Sequence, residues 1–322
     1  MKKFLLFFPV FLFLVSCMPE QPEVQQAKIS NRLINAVLYL PDIEKGYYRG
    51  TRFDHSGIVA KLEYKGHNFF GQWFEKYDPY IHDAVMGPVE EFGQIGFNES
   101  KIGETFLKIG VGMLENPDDK PYSNFRLYPV KNAGKWEIKR IKNGLRYVHV
   151  LEDKEYAYRY EKRIYLVPGK PEMVIAHTFE NTGKKPVETT VYNHIFPVID
   201  NQPVGPDYTV IFPFMPQEKG DGFDDVLTIK GKRLVYLRAQ KPDDRVYCRD
   251  LKGYGALPED YDIRIENSIA GAGMRITCDR PLVRLAFWSS TTTVCPEPFI
   301  QVSAKPGEKF EWQIRFEFYT LK

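Results

Sequence analysis

The 322-residue chain is predicted to be all-β, a large sandwich of antiparallel sheets with very little helix. Three observations predict this. Short runs rich in Val, Ile, Tyr, Phe and Thr recur from Asn35 onward, most of them bounded by Gly, Pro, Asn or Asp. No stretch sustains a helical period over several turns. The runs are evenly spaced, with no repeat of roughly 20–50 residues and no linker that would divide them, so residues 35–322 are read as one domain.

The N-terminus stands apart from that pattern. Lys2 and Lys3 precede "FLLFFPVFLFLV", an apolar run too short to span a bilayer as a helix and of the length of a signal-peptide core. "LVSC" follows, and it looks like a bacterial lipobox ending at Cys17. Residues 1–16 are therefore expected to be a lipoprotein signal peptide, with Cys17 as the lipidated residue. Residues 17–34, polar and holding two prolines at the start, are expected to be a flexible tether. The body is then expected at the bacterial cell envelope, lipid-anchored, periplasmic or on the outer surface. Lys and Arg total 44 against 42 Asp and Glu, and residues 1–16 hold two of the lysines and no acid. The balanced remainder has no electrostatic footprint for nucleic acid.

The elements follow in order. "NAVLYLPD" is a strand, and "GYYRGTRFDHSGIVAKLEYKGHNFFG" holds more, with a corner at Ser56-Gly57 and a turn at "YKGHN". "MGPVEEFGQ" is read as a short helix started by Pro88. "RLYPV", "GKWEIKRIKNG", "LRYVHVLE", "YAYRYEKRIYLVPG", "EMVIAHTFENTG" and "PVETTVYNHIFPVID" alternate as strands do. "YTVIFPF", "VLTIKG", "RLVYLRA", "DIRIENSIAGAGMRITCD", "PLVRLAFWSS" and "FEWQIRFEFYT" complete the set, with a weaker helical turn at residues 258–261. Cys248, Cys278 and Cys295 allow at most one disulfide, and no CxxC or CxxH spacing suggests a zinc cluster. They are expected to pack as small hydrophobes.

Three stretches carry candidate chemistry. In "PVETTVYNHIF", alternation sets Val187, Val191 and Ile195 towards the core and puts His194 on the other face beside Tyr192 and Phe196. A face that mixes rings with polar tips suits a sugar; taken alone, the strand fits a half-buried histidine with one hydrogen bond somewhat better. In "TTTVCPEPFIQV", Glu297 sits between two prolines that hold it extended and cannot donate to a ladder, so an edge, bulge or loop mouth is expected. A surface glutamate in a Pro-rich turn fits the same letters. In "YYRGTRFDHSG", Arg52 and Asp54 share a face and are expected to pair.

Together these pieces resemble the galactose mutarotase-like superfamily, which includes the aldose 1-epimerases, over about Asn35 to Thr320. "YNHIF" matches its first catalytic motif and "VCPEPF" resembles its second. "YYRGTRFDHSG" and "GETFLKIGVG" look like a branch of bacterial, often secreted, members. The resemblance implies a β-supersandwich and a mono- or oligosaccharide partner, with no cofactor or metal. It places His194 as general acid and Glu297 as general base, and Arg52 resembles a substrate-binding arginine. Lys108 stands where the family has a second histidine. Asn193, Tyr192, Asp207 and Trp288 complete the expected substrate contacts. An ionised Glu297 facing a protonated His194 would open and reclose a cyclic hemiacetal. The reading is a monomeric isomerase; a non-catalytic carbohydrate-binding lipoprotein of a glycan-utilisation system is the alternative, and an accessory of polysaccharide breakdown a third.

Overall fold

The computed structural model describes residues 24–322; Cys17 and the signal-like segment lie outside the described residues. Among the described residues are 22 strands and one 3-10 turn, Pro258–Asp260. The strands form sheets of four, ten, five and three strands, and every strand ladder is antiparallel. The fold is all-β, as the strand spacing predicts. A hydrophobic core spreads from Ala27 to Phe318 and joins the sheets, because alternate residues of each strand turn inward. Cys248, Cys278 and Cys295 are buried and form no disulfide among the described residues.

Three local expectations differ from the structure. Gln26–Ser30, assigned above to the tether, is a strand paired with Ile34–Tyr39, and Ala27 and Ile29 are buried. Two alternating apolar residues were too weak a signal to show it. The helix expected around Pro88 is instead the strand Val89–Phe92, paired with Val187–His194. Helix-favouring Glu90 and Glu91 are overridden there by pairing and by buried cations, since Glu90 meets Lys162 and Glu91 meets Arg52. Finally, Val294–Ala304, which holds Pro296 and Pro298, is no edge: it lies between Arg284–Ser289 and Val187–His194. Its ladder to Val187–His194 ends at Tyr192 opposite Phe299. The next hydrogen-bonded pair would be Asn193 with Pro298, and Pro298 has no N–H to give. The prolines are tolerated because they sit where one neighbour has already stopped pairing.

The five-stranded sheet is what positions the site. Its strands run in the order Val246–Cys248, Arg284–Ser289, Val294–Ala304, Val187–His194 and Val89–Phe92. One face presents Val191, Asn193, Pro298 and Ile300 to Trp312 and Ile314 of the ten-stranded sheet. The other face, carrying the residues of opposite parity, is open.

Candidate active site

Register alone assembles this site. Tyr192 pairs with Phe299 on one side and Glu91 on the other, and Arg284 pairs with Phe299. One step along, Ala286 pairs with Glu297, and continuing the antiparallel register puts His194 opposite Glu297. Side chains directly opposite share a face, so Glu91, Tyr192, His194, Arg284, Glu297 and Phe299 meet in two adjacent rows. They line a cleft of about 600 Å³ together with Arg52, Asp83, Asn124, Phe125, Phe196, Arg245, Tyr247 and Trp288.

His194 Nε2 lies 3.3 Å from Glu297 Oε1. The imidazole stacks on Phe196 at 3.6 Å between ring centres, with Phe53 and Trp288 edge-on at 5.7 and 6.0 Å. These rings fix its plane, and its Nδ1 is buried with no hydrogen-bond partner among the described residues. Nothing therefore receives a second proton, and burial, assisted by the Arg52 charge, pushes the imidazole well below its ordinary pKa. Burial also pushes the Glu297 carboxyl up, to about 7, against the opposing pull of Arg52. Burial thus works against the expected arrangement, carboxylate facing imidazolium, and favours the proton on Glu297.

Arg52 forms the next wall. Its Nε donates to Glu91 at 2.6 Å, one terminal nitrogen to Tyr192 Oη at 2.9 Å, and the other to Asp83. Tyr192 in turn donates to Glu91 at 2.5 Å. Burial raises the Glu91 carboxyl, but Arg52 and Lys108 outweigh it and hold it below the ordinary range, so it stays ionised. Asp54, the expected partner of Arg52, belongs to a separate cluster with Lys162, Ser56 and Tyr160. Residues 47–57 are not a regular strand, so the alternation used to pair them does not apply.

The predicted residues divide cleanly. His194, Glu297, Arg52, Tyr192 and Trp288 line the cleft. Lys108 does not: its ammonium, 1 % exposed, sits behind Glu91 at 3.7 Å and donates to the Phe92 carbonyl and to Tyr122. Burial lowers it to about 8. Asn193 points to the opposite face and donates to Glu90 at 2.8 Å. Asp207 accepts from Ser268 in a loop away from the cleft. Sequence reasoning missed Asp83, Glu91, Phe125, Arg245, Tyr247 and Arg284. Of these, Glu91 alone had a local signal, a strand period hidden by a helix-like composition.

The five-stranded sheet sets His194 and Glu297 at the base of an aromatic cleft, and solved structures share the surrounding all-β architecture. One is a galactose mutarotase-like protein from Clostridium acetobutylicum: TM-score 0.55, 12 % identity, covering 93 % of this chain and 96 % of that one. Another is an aldose epimerase homologue from C. elegans: TM-score 0.54, 14 % identity, covering 93 % and 100 %. A galactose mutarotase related enzyme from Lactobacillus acidophilus aligns at TM-score 0.53 and 10 % identity, over 92 % and 98 %. No family model and no curated protein matches the sequence. The fold is galactose mutarotase-like.

Proposed function

We propose that the protein is an aldose 1-epimerase-like isomerase that interconverts the anomers of a sugar by proton exchange through His194 and Glu297. One observation carries the reading: two titratable groups in contact at 3.3 Å, their affinities for a proton driven in opposite directions, at the bottom of a cleft of monosaccharide size. Ring opening moves one proton from the anomeric hydroxyl to the enzyme and one from the enzyme to the ring oxygen. The C1–O5 bond breaks as the C1 carbonyl forms, and rotation about C1–C2 exposes the other face. Closing runs the same step backwards, so each group donates once and accepts once per turnover. A pair holding one proton between two poised sites meets that need. The rings of Phe125 and Trp288 offer apolar surface to a pyranose, and Glu91 with Tyr192 offers hydrogen-bond partners to its hydroxyls.

The test is mutarotation of a panel of reducing sugars, followed by polarimetry. His194→Ala and Glu297→Gln are each expected to lower the catalysed rate by about 10²- to 10⁴-fold. Unchanged rates in both variants would end the reading. Sugar binding in calorimetry with no interconversion of any sugar would assign the cleft a binding role instead.

The pH dependence has a definite sign. The working pair needs its shared proton, and Glu297 gives it up as pH rises through about 7. The value of kcat/KM is expected to fall roughly tenfold per pH unit above that point. A rate that climbs from pH 7 to 9 would contradict the assignment.

A further inference from the structure

Three arginines line the cleft: Arg52, Arg245 and Arg284. Their charges are not equivalent. Arg52 is committed to Glu91, Asp83 and Tyr192. Arg245, at the exposed rim, pairs with Asp221 at 2.8 Å. Arg284 differs from both. Among the described residues its guanidinium has no carboxylate within ion-pair distance and makes no hydrogen bond. Its central carbon lies instead over Phe299, 3.6 Å from the ring centre, and Phe299 stacks in turn on Tyr192 at 4.2 Å. That contact holds the guanidinium in place and leaves its N–H donors unspent.

The position of Arg284 is as telling as its lack of a partner. It pairs across the sheet with Phe299, while Ala286 pairs with Glu297. The guanidinium therefore rises from the row next to the acid–base pair, two residues along, or about 7 Å at the rise of an extended strand. A pyranose held with C1 at His194 and Glu297 reaches that row with the substituent on the far side of its ring. A fork of charge-assisted donors there matches a carboxylate, phosphate or sulfate, and a neutral hydroxyl would leave the charge unanswered.

We propose that the cleft takes a sugar bearing an anionic group, and that Arg284 is the residue that receives it. This rests on the isomerase reading for the sugar and for its orientation, and deepens that reading by naming the substrate class. Glucuronate, galacturonate, glucose 6-phosphate and glucose 6-sulfate separate the three kinds of anion, with glucose and galactose as neutral parents. The native protein is expected to favour at least one anionic sugar over its parent in kcat/KM. Arg284→Met is expected to reduce that preference by about 10- to 100-fold, chiefly through KM, as the loss of a charge-assisted hydrogen bond implies. Arg284→Lys is expected to restore part of it. An unchanged urea midpoint in both variants keeps misfolding out of the comparison.

Two results overturn the proposal. One is a native protein indifferent to the anion. The other is an Arg284→Met variant that slows neutral and anionic sugars alike, which would make Arg284 only a clip for Phe299. Calorimetry with methyl glycosides, which cannot open, separates this from failure of the isomerase reading. Methyl glucuronide binding that depends on Arg284, with no sugar interconverted, would keep the anion site and discard the isomerase. Mutarotation of neutral sugars, with the methyl glycosides of glucose and glucuronate bound equally, would do the reverse.

Discussion

Replacing Lys162 with methionine is expected to destabilise the protein by about 3–5 kcal/mol, read as a lower urea midpoint. Lys162 Nζ is fully buried between the sheets. It contacts Glu90, Asp54 at 3.3 Å and the Ser56 carbonyl at 2.8 Å. Glu90 also takes Asn193 at 2.8 Å and lies 3.2 Å from His177, which stacks on Trp312. Burial disfavours the Glu90 carboxylate, but Lys162 and His177 outweigh that and hold the carboxyl below the ordinary range. Burial likewise works against the Lys162 ammonium, and the two carboxylates reverse it. Methionine keeps the stem's volume and removes the charge, leaving two buried carboxylates facing each other. The cost comes from breaking the pair rather than from the worth of the pair itself. The double variant Lys162→Met, Glu90→Gln is therefore expected to recover most of the loss. Asp54 keeps the Ser56 hydroxyl and the Tyr160 hydroxyl as partners in either case. A single variant within 1 kcal/mol of native stability would show that water reaches this cluster and that it is not the dry network described.

The same cluster shows how far the sequence could be read. Strand alternation placed His194, Tyr192 and Phe196 on one face and Val187, Val191 and Ile195 on the other, and the structure keeps that division, because a period of two is a local property. It could not show that Glu90 and Glu91 face opposite ways, one into the core against Lys162 and one into the cleft against Arg52. Those assignments depend on Val89–Phe92 pairing with Val187–His194, a contact about a hundred residues away in the chain, and on two cations from elsewhere. Arg284 was invisible for the same reason: only its register against Phe299 brings it beside the acid–base pair. Lys108 owes its expected role to a family pattern alone, and burial behind Glu91 moves it out of reach of a ligand. That the prolines around Glu297 cannot donate is plain from the letters. What the letters could not say was that a neighbouring strand ends its ladder beside them, so the acid sits inside a sheet and not at its edge.

Glu297→Gln is expected to make the protein more stable at pH 8 and to leave it unchanged near pH 4. The unfolded chain releases the Glu297 proton near the ordinary glutamate value of 4.5, whereas burial in the folded protein delays release to about 7. Between those values the folded state holds a proton that the unfolded state has lost. Stability therefore falls as pH rises through that window, and the full penalty applies above it. A shift of this size corresponds to something on the order of 3 kcal/mol. Glutamine cannot ionise, so the variant escapes the penalty. Below pH 4 both side chains are neutral and the difference closes. His194, whose depressed pKa costs stability on the acid side, is neutral at pH 8 in both proteins, so the largest difference is read where it carries no charge. Urea unfolding at pH 4, 6 and 8 gives the three points needed. A pH-independent difference, or a variant less stable at pH 8, would mean that Glu297 ionises at its ordinary value and that the carboxyl is not held for proton donation at neutral pH. The variant that gains stability is also the one expected to lose turnover. Both effects have one source, a carboxyl buried beside an unprotonated imidazole, so a protein selected only for stability would not keep it.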